Sequence, residues 1–315
     1  MRFQFLVLLL CALYGSVFTI GKITLEYAPP LFITGSRMIL AAALLLLYNY
    51  LFNRKHFYFK KSHILPMFII GLTNVYLANA FEFWGLQYME SGKACFLYSF
   101  APIATAILSY FWFSEKITIM KCFGLTIGLL AFLPVLIAHS GSEDLSGYLG
   151  FLSYAELALL GAAVCSAIGW MAMRVMVKHQ NYSSMMANAT SMGVGGILAL
   201  AHSLVVENWF PIPVVNFAGF IGPFLVLTLI SNILAYNLNS YLLKHFTATY
   251  MSFAGLSQPI FAALFGYLFL QEVMSEYFWF SVIAVILGLY IYYQQELKQG
   301  LTPKIPKKLR TNKTR

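Results

Sequence analysis

Ten apolar runs, each about twenty residues long and separated by short polar gaps, leave this chain few ways to fold. A helix rises about 1.5 Å per residue and the hydrocarbon layer is about 30 Å thick, so a run of about 20 apolar residues is what one crossing requires. The runs fall at 3–23, 30–51, 64–86, 92–113 and 117–138, then at 155–177, 185–206, 217–242, 248–270 and 277–293. The first is long and has no small-x-small cleavage site, so it is read as a span and not as a signal peptide. Of the 315 residues, 60% are hydrophobic and 10% charged, against about 25% charged in soluble domains. The expectation is an all-α integral membrane protein.

The net charge of +9 does not call for a nucleic acid, because of where the cations stand. Seven Lys and Arg residues lie in the tail from Lys298 to Arg315, and most others occupy the gaps between runs. With Met1 in the cytoplasm, seventeen of the twenty fall on the inner side, only Lys22 and Lys93 fall outside, and Arg37 lies within a span. That bias predicts a multi-pass protein with both termini cytoplasmic, its basic tail facing an anionic leaflet. The four cysteines sit in or beside apolar runs without metal-ligand spacing, so neither a disulfide framework nor a zinc site is expected. No cofactor is expected either.

The two halves repeat one another. Pro102, Ile103, Ala106, Tyr110 and Glu115 recur as Pro259, Ile260, Ala263, Tyr267 and Glu272, each 157 residues later. Leu77-Ala78 and Leu234-Ala235 keep the same offset, and Cys11…Gly15 matches Cys165…Gly169. Five spans per half is an odd number, so the second copy enters the membrane upside down. Inverted repeats suit alternating access, in which each half can take the conformation of the other. The expected organisation is a first five-helix repeat over 3–138, an extracytoplasmic linker over 139–154, a second repeat over 155–293 and a basic cytoplasmic tail over 294–315.

These residues resemble the drug/metabolite transporter superfamily, in its EamA-type members. The resemblance rests on Ser36-Arg37-Met38 in the second span, the stretch from Tyr76 to Lys93, the Pro102…Glu115 signature followed by Lys116 and Gly124/Gly128, and Pro259…Glu272. Two departures are that the second half has no arginine in 185–206, and that Tyr14 stands where many relatives have tryptophan. The stretch from Tyr76 through Tyr88 and on to Phe100 is similar to the S-adenosylmethionine transporters of obligate intracellular bacteria. That likeness implies uptake of S-adenosylmethionine in exchange for S-adenosylhomocysteine across a bacterial inner membrane. Export of amino acids or other small metabolites is the alternative the same fold supports.

A charge in the bilayer costs at least ~2.5–3.5 kcal/mol and calls for a reason. Arg37 lies about seven residues into the second span and Glu82 about four from the end of the third, so both sit roughly 6–10 Å below the same interface. Two roles are open: an ion pair that locks two helices, or two cavity groups, Arg37 for a substrate carboxylate and Glu82 for an ammonium or sulfonium. Asn79 and Glu82 share a helix face, as do their counterparts Tyr236 and Asn239, and the four are expected to line one cavity; hydrogen bonding between helices is the competing role. Trp84 (in a stripe with Phe81 and Tyr88), Phe83, Tyr98, Trp170 and Tyr236 are candidates to stack a purine, although most aromatics in such a chain face lipid or other helices. Gln258 beside Pro259, and Ser99 before Pro102, stand where a proline frees a backbone carbonyl. Glu115 and Glu272 are expected to cap helices or anchor loops.

A membrane-embedded enzyme would need clustered His, Asp or Cys, and the six histidines are scattered. No Walker A glycine loop is present. A small-molecule transporter in a lipid bilayer, not an enzyme and not a nucleic-acid binder, is the expectation.

Overall fold

The computed structural model describes residues 2–58, 61–113, 118–131, 133–134, 144–246, 251 and 254–298. Glu115, residues 139–143 of the expected linker and the tail beyond Lys298 lie outside them. The helices are α1 (Arg2–Leu25), α2 (Pro30–Phe52), α3 (Ile64–Ile70), α4 (Ala78–Leu86), α5 (Ser91–Tyr98), α6 (Ala101–Phe113) and α7 (Ile119–Leu130). They continue as α8 (Tyr154–Arg174), α9 (Ser184–Val206), α10 (Phe217–Leu227), α11 (Tyr236–Leu242), α12 (Gln258–Leu270) and α13 (Glu276–Lys298). A two-stranded hairpin, β1 (Tyr148–Leu149) and β2 (Leu152–Ser153), leads into α8.

Among the described residues, seven helical stretches are long and apolar enough to cross a membrane: Phe5–Leu25, Pro30–Phe52, Lys61–Leu86, Ser91–Leu108, Tyr154–Lys178, Ser184–Val206 and Phe217–Leu242. Gly255–Leu270 and Glu276–Gly288 are apolar but shorter. Helix suits hydrocarbon because each backbone N–H finds its acceptor within the segment. Large apolar side chains such as Leu47, Phe111, Phe217, Leu268 and Phe280 project outward, as lipid permits and water does not.

Several helical runs depart from α geometry, and four of these departures fall in pairs across the two halves. A π segment, Gly71–Leu77, joins α3 to α4, and a second, Thr228–Ala235, joins α10 to α11. The two begin 157 residues apart, the offset found in the sequence. A π turn leaves carbonyls without their i+4 donors. Here Asn79 Nδ2 donates to the carbonyls of Asn74 (2.9 Å) and Val75 (3.0 Å), and Asn237 Nδ2 donates to those of Asn232 (3.4 Å) and Ile233 (2.9 Å). The run 92–113, expected as one helix, is divided between α5 and α6 at Ser99 and Phe100. Pro102 has no N–H to offer the carbonyl of Tyr98, so the helix breaks one turn before it. Pro259 has the same effect in the other half, where a 3-10 turn, Gly255–Ser257, precedes α12.

The helix pairs are reciprocal between halves. The second expected span lies along the seventh (α2 on α9) and the fifth along the tenth (α7 on α13). The first packs on the ninth (α1 on α12) as the sixth packs on the fourth (α8 on α6). Start signals hold α8 and its hairpin in place. Ser153 Oγ accepts from the Glu156 amide, and Glu156 Oε2 accepts from the Ser153 amide, forming a capping box. Lys93, near the start of α5, closes on Glu156 at 3.1 Å and ties the two helices together.

α9 crosses the first π segment at a backbone contact. A Cβ built on Gly195 would stand 2.5 Å from the carbonyl oxygen of Gly71 and 2.5 Å from the Val75 side chain. Backbone on both sides cannot yield as a side-chain tip would. Gly195→Ala is therefore expected to cost about 1–3 kcal/mol and lower the thermal midpoint of the purified protein. Gly222→Ala, where the added methyl meets nothing within 4 Å, is expected to leave the midpoint unchanged; equal midpoints for the two variants would refute the close crossing.

Candidate functional site

A cavity of about 110 Å³ lies between α1, α4, the α5–α6 break, α8, α11 and the start of α12. α1 contributes Val7, Leu10, Cys11, Tyr14, Val17 and Phe18, one stripe at helical spacing that runs about 17 Å along the helix. Opposite stand Asn79 and Glu82 from α4, Tyr98 and Ser99 from the break, Ser166 and Trp170 from α8, Ser231 from the second π segment, Tyr236 and Asn239 from α11, and Gln258 from α12. The contributing segments are the expected spans 1, 3 and 4 and their counterparts 6, 8 and 9.

Seven of the nine residues singled out from the sequence thus share this wall: Asn79, Glu82, Tyr98, Trp170, Tyr236, Asn239 and Gln258. Asn79 and Tyr236, counterparts across the repeat, meet directly: Asn79 Nδ2 donates to Tyr236 Oη at 3.1 Å, and that hydroxyl donates to the Asn74 carbonyl at 3.3 Å. Cavity lining and interhelical hydrogen bonding are one arrangement here. Rings face the space from several sides. Tyr14 and Trp170 both pack on Tyr236, with centroids 6.4 and 5.2 Å away, and Phe18 meets Tyr98 edge-on at 5.9 Å.

Arg37 departs from both expected roles. It does not line the cavity and it does not pair with Glu82. Its side chain is fully enclosed. Nη1 donates to Ser231 Oγ and Asn232 Oδ1, each at 3.2 Å, Nη2 donates to Asn79 Oδ1, and the guanidinium stands 4.6 Å over the Phe83 ring. Equal depth in the membrane brought Arg37 and Glu82 to one level without turning them toward each other. Phe83, expected as a stacking candidate, is the floor beneath Arg37.

Glu82 is left with no hydrogen bond and no ion pair among the described residues, though it is only 6% exposed and faces the cavity. A buried carboxylate without a partner costs several kcal/mol unless a cation or polar ligand reaches it. With the rings of Tyr14, Tyr98 and Tyr236 around it, the arrangement can hold a cation by charge and by aromatic faces, and Asn239, Gln258 and Ser166 supply neutral hydrogen-bonding groups.

Trp84 also lies elsewhere. It packs on Tyr88 at 5.2 Å and lines a separate hollow of about 800 Å³ with Tyr76, Phe81 and His202. Two residues from Glu82 is about 200° around a helix, so Trp84 faces away from the cavity. Ser166 and Ser231 were not anticipated. Ser231 carried a signal, since it stands 157 residues after Asn74, one helical turn from the Tyr236 counterpart of Asn79. Ser166 carried none that separates it from other small residues of α8.

One helical turn beyond Phe18, a polar cluster joins the two halves. Lys22 Nζ donates to the Met89 carbonyl at 2.8 Å and pairs with Glu272 Oε1 at 2.7 Å. The Ser91 amide, at the start of α5, donates to Glu272 Oε2 at 2.9 Å. Glu272 therefore caps a helix of the other half, in keeping with the capping role expected of it. Toward its opposite end the cavity is narrowed by apolar groups, Val7, Leu243 and Met251.

Several apolar helices long enough to cross a bilayer, around a cavity with polar groups in its wall, define a multi-pass membrane protein. The chain belongs to the EamA-like transporter family, which it matches over residues 1–137 and 153–294. It is 38% identical over 297 residues to a protein of Chlamydia muridarum named S-adenosylmethionine/S-adenosylhomocysteine transporter, covering 94% of this chain and 93% of that one. The protein of the same name from Chlamydia trachomatis serovar L2 is 38% identical over 94% of this chain and 90% of its own length. An uncharacterised transporter of Bacillus subtilis is 24% identical over 89% and 92% of the two chains. A crystal structure superposes with a TM-score of 0.69 at 13% identity, covering 95% of this chain and 98% of that chain, and supports the fold alone. Membership of a transporter family, together with relatives named as transporters, sets the chain apart from enzymes.

The positions of the tryptophans give a direct test of which wall meets a ligand. Trp170 lines the cavity and Trp84 does not. A ligand entering the cavity is expected to quench the fluorescence of a variant retaining only Trp170 and to leave one retaining only Trp84 unchanged; quenching confined to Trp84 would move the site to the other hollow.

Proposed function

We propose that this protein is a secondary transporter that takes up S-adenosylmethionine in exchange for S-adenosylhomocysteine by alternating access. The observation that carries the reading is Glu82, a carboxylate buried in an aromatic-walled cavity with no hydrogen bond or ion pair among the described residues. S-adenosylmethionine brings what such a cavity lacks: a sulfonium and an ammonium for Glu82 and the ring faces, and a purine to stack, worth ~1–3 kcal/mol per base. Its carboxylate would be met by neutral donors such as Asn239 and Gln258. S-adenosylhomocysteine keeps the purine and the zwitterion but not the sulfonium charge, so one cavity accepts both. The names of the chlamydial relatives support the same cargo. An inside-negative potential favours entry of the more cationic partner by ~2.3 kcal/mol per charge per 100 mV.

The architecture in this proposal is ten spans in two inverted repeats, 3–138 and 155–293, joined by the 139–154 linker. Support comes from the two π segments at one offset, the paired proline breaks, the reciprocal helix pairs and the cavity built from counterpart spans. The positive-inside bias supports both termini, and the tail from 294, in the cytoplasm of a bacterial cell whose inner membrane holds the protein. In that orientation the Lys22–Glu272 cluster seals the extracytoplasmic side. The cavity, at about 110 Å³, falls short of the ~300–1,000 Å³ of small-molecule sites, so this conformation is a closed one that must widen to load.

Proteoliposomes preloaded with unlabelled S-adenosylhomocysteine are expected to take up labelled S-adenosylmethionine, and empty ones to take up little. Glu82→Gln is expected to weaken S-adenosylmethionine binding about tenfold or more, as loss of a charged partner costs ~1.5–3 kcal/mol, and to affect S-adenosylhomocysteine less. Uptake at control level from folded protein would sink the cargo; a fully active Glu82→Gln variant would remove the carboxylate from recognition.

The seal has its own consequence. In a protein whose only cysteine is Cys11, which lines the cavity, Glu272→Gln is expected to speed labelling by an impermeant thiol reagent added outside severalfold, because two of the bonds across the seal weaken together. Unchanged labelling would mean that the pair does not close the outer mouth.

A further inference from the structure

Arg37 is a fully buried charge in a spanning helix, and nothing in the proposed exchange uses it. Its guanidinium is shut off from the cavity by Asn79 and Ser231, both of which do line it. The acceptors it has gathered come from opposite halves: Asn79 follows the first π segment, and Ser231 and Asn232 belong to the second. The Phe83 ring closes the remaining face. A rigid fork of N–H donors can bridge two elements in a fixed geometry, which a compact ammonium on a flexible stem cannot do.

We propose that Arg37 is a positioning residue: it clamps the π segments of the two halves together and so sets Asn79 and Tyr236 in the cavity wall without touching the cargo. The chain of contacts is continuous. Arg37 holds the Asn79 carbonyl oxygen, which fixes the amide so that its NH₂ faces the Asn74 and Val75 carbonyls and the Tyr236 hydroxyl. Without that hold the amide is free to turn over, and Tyr236 loses the donor that orients its ring between Tyr14 and Trp170. The Nη donors of Arg37 go to neutral oxygens and form no hydrogen bond to Glu82, so the carboxylate that faces the cavity is not tied up by the arginine.

The test uses the full-length purified protein and has two arms. In hydrogen exchange, Arg37→Lys and Arg37→Gln are expected to speed exchange in Gly71–Leu77 and Thr228–Ala235 together, about tenfold for two or three lost intramembrane hydrogen bonds, while α7 and α13 keep their rates. Asn79→Ala removes the link from the other side and is expected to loosen the same two segments; it decides the matter if the Arg37 variants do not fold. Exchange that rises in one segment only, or everywhere equally, overturns the clamp. This arm needs no ligand, so it stands whether or not the proposed cargo is right.

The second arm rests on the proposed function and measures affinity for S-adenosylmethionine and for its decarboxylated analogue. A positioning role predicts that Arg37→Lys weakens both by the same factor. A loss confined to the carboxylate-bearing molecule would make Arg37 a direct ligand and overturn the proposal.

Discussion

A guanidinium in hydrocarbon needs acceptors, and the middle of this protein is organised to supply them to both Nη groups of Arg37, leaving Nε without one. On insertion scales the charge costs at least ~2.5–3.5 kcal/mol, which falls only if the protein supplies acceptors at the same depth. Regular α-helix offers none, because its carbonyls are engaged and its side chains here are mostly apolar. The chain supplies Ser231, Asn232 and Asn79 instead, each in or beside a π turn. The π turns expose further carbonyls, and the Asn79 and Asn237 amides cover them. A polar layer thus forms from interdependent parts, and removing the charge removes the reason for much of it.

The opposite charge is handled in the opposite way. Arg37 has hydrogen-bond partners and does not line the cavity, whereas Glu82 lines it and has no hydrogen bond or ion pair among the described residues. Had the two formed an ion pair, the protein would have gained a local contact and lost its cation site. Separating them leaves a carboxylate whose cost is offset only when a cation occupies the cavity. That is a useful property in an exchanger, since the empty site is then the unfavourable state and crossing is favoured with cargo aboard.

Much of this was legible in the sequence, for reasons that also mark where legibility ended. Spans are set by the thickness of the bilayer, so run length located six of the seven long apolar stretches to within three residues, while the fourth run is broken before Pro102. The offset of 157 residues aligned Asn79 with Tyr236, and those two side chains are in contact. Depth along a helix is a count of residues, and it put Arg37 and Glu82 at one level. Direction around the helix is not read from depth, and there the expectation failed: Arg37 turns to the α4–α11 contact and Trp84 to the far side of α4. The Trp84 error was avoidable, since two residues of separation from Glu82 already fixes the opposite face. The π segments lay beyond reach: Gly71–Leu77 and Thr228–Ala235 carry weak helix formers such as Gly71, Asn74, Ser231 and Asn232, but residues of that kind recur in spans that stay α-helical.

The same polar chemistry then explains how the cavity is closed. Glu272 sits just after α12 yet satisfies the first amide of α5 and the ammonium of Lys22, so a carboxylate from one half covers two donors of the other. Helix starts need acceptors wherever they lie, and an acceptor borrowed from the facing half makes capping and closure a single event. At the other end of the cavity the wall is apolar among the described residues, with Val7, Leu243 and Met251 in one hydrophobic cluster. In the proposed inverted arrangement this asymmetry belongs to the state and not to the sequence: charge and capping hold one mouth, the described residues at the other hold it by packing, and exchanging the roles of the two halves exchanges the two kinds of closure.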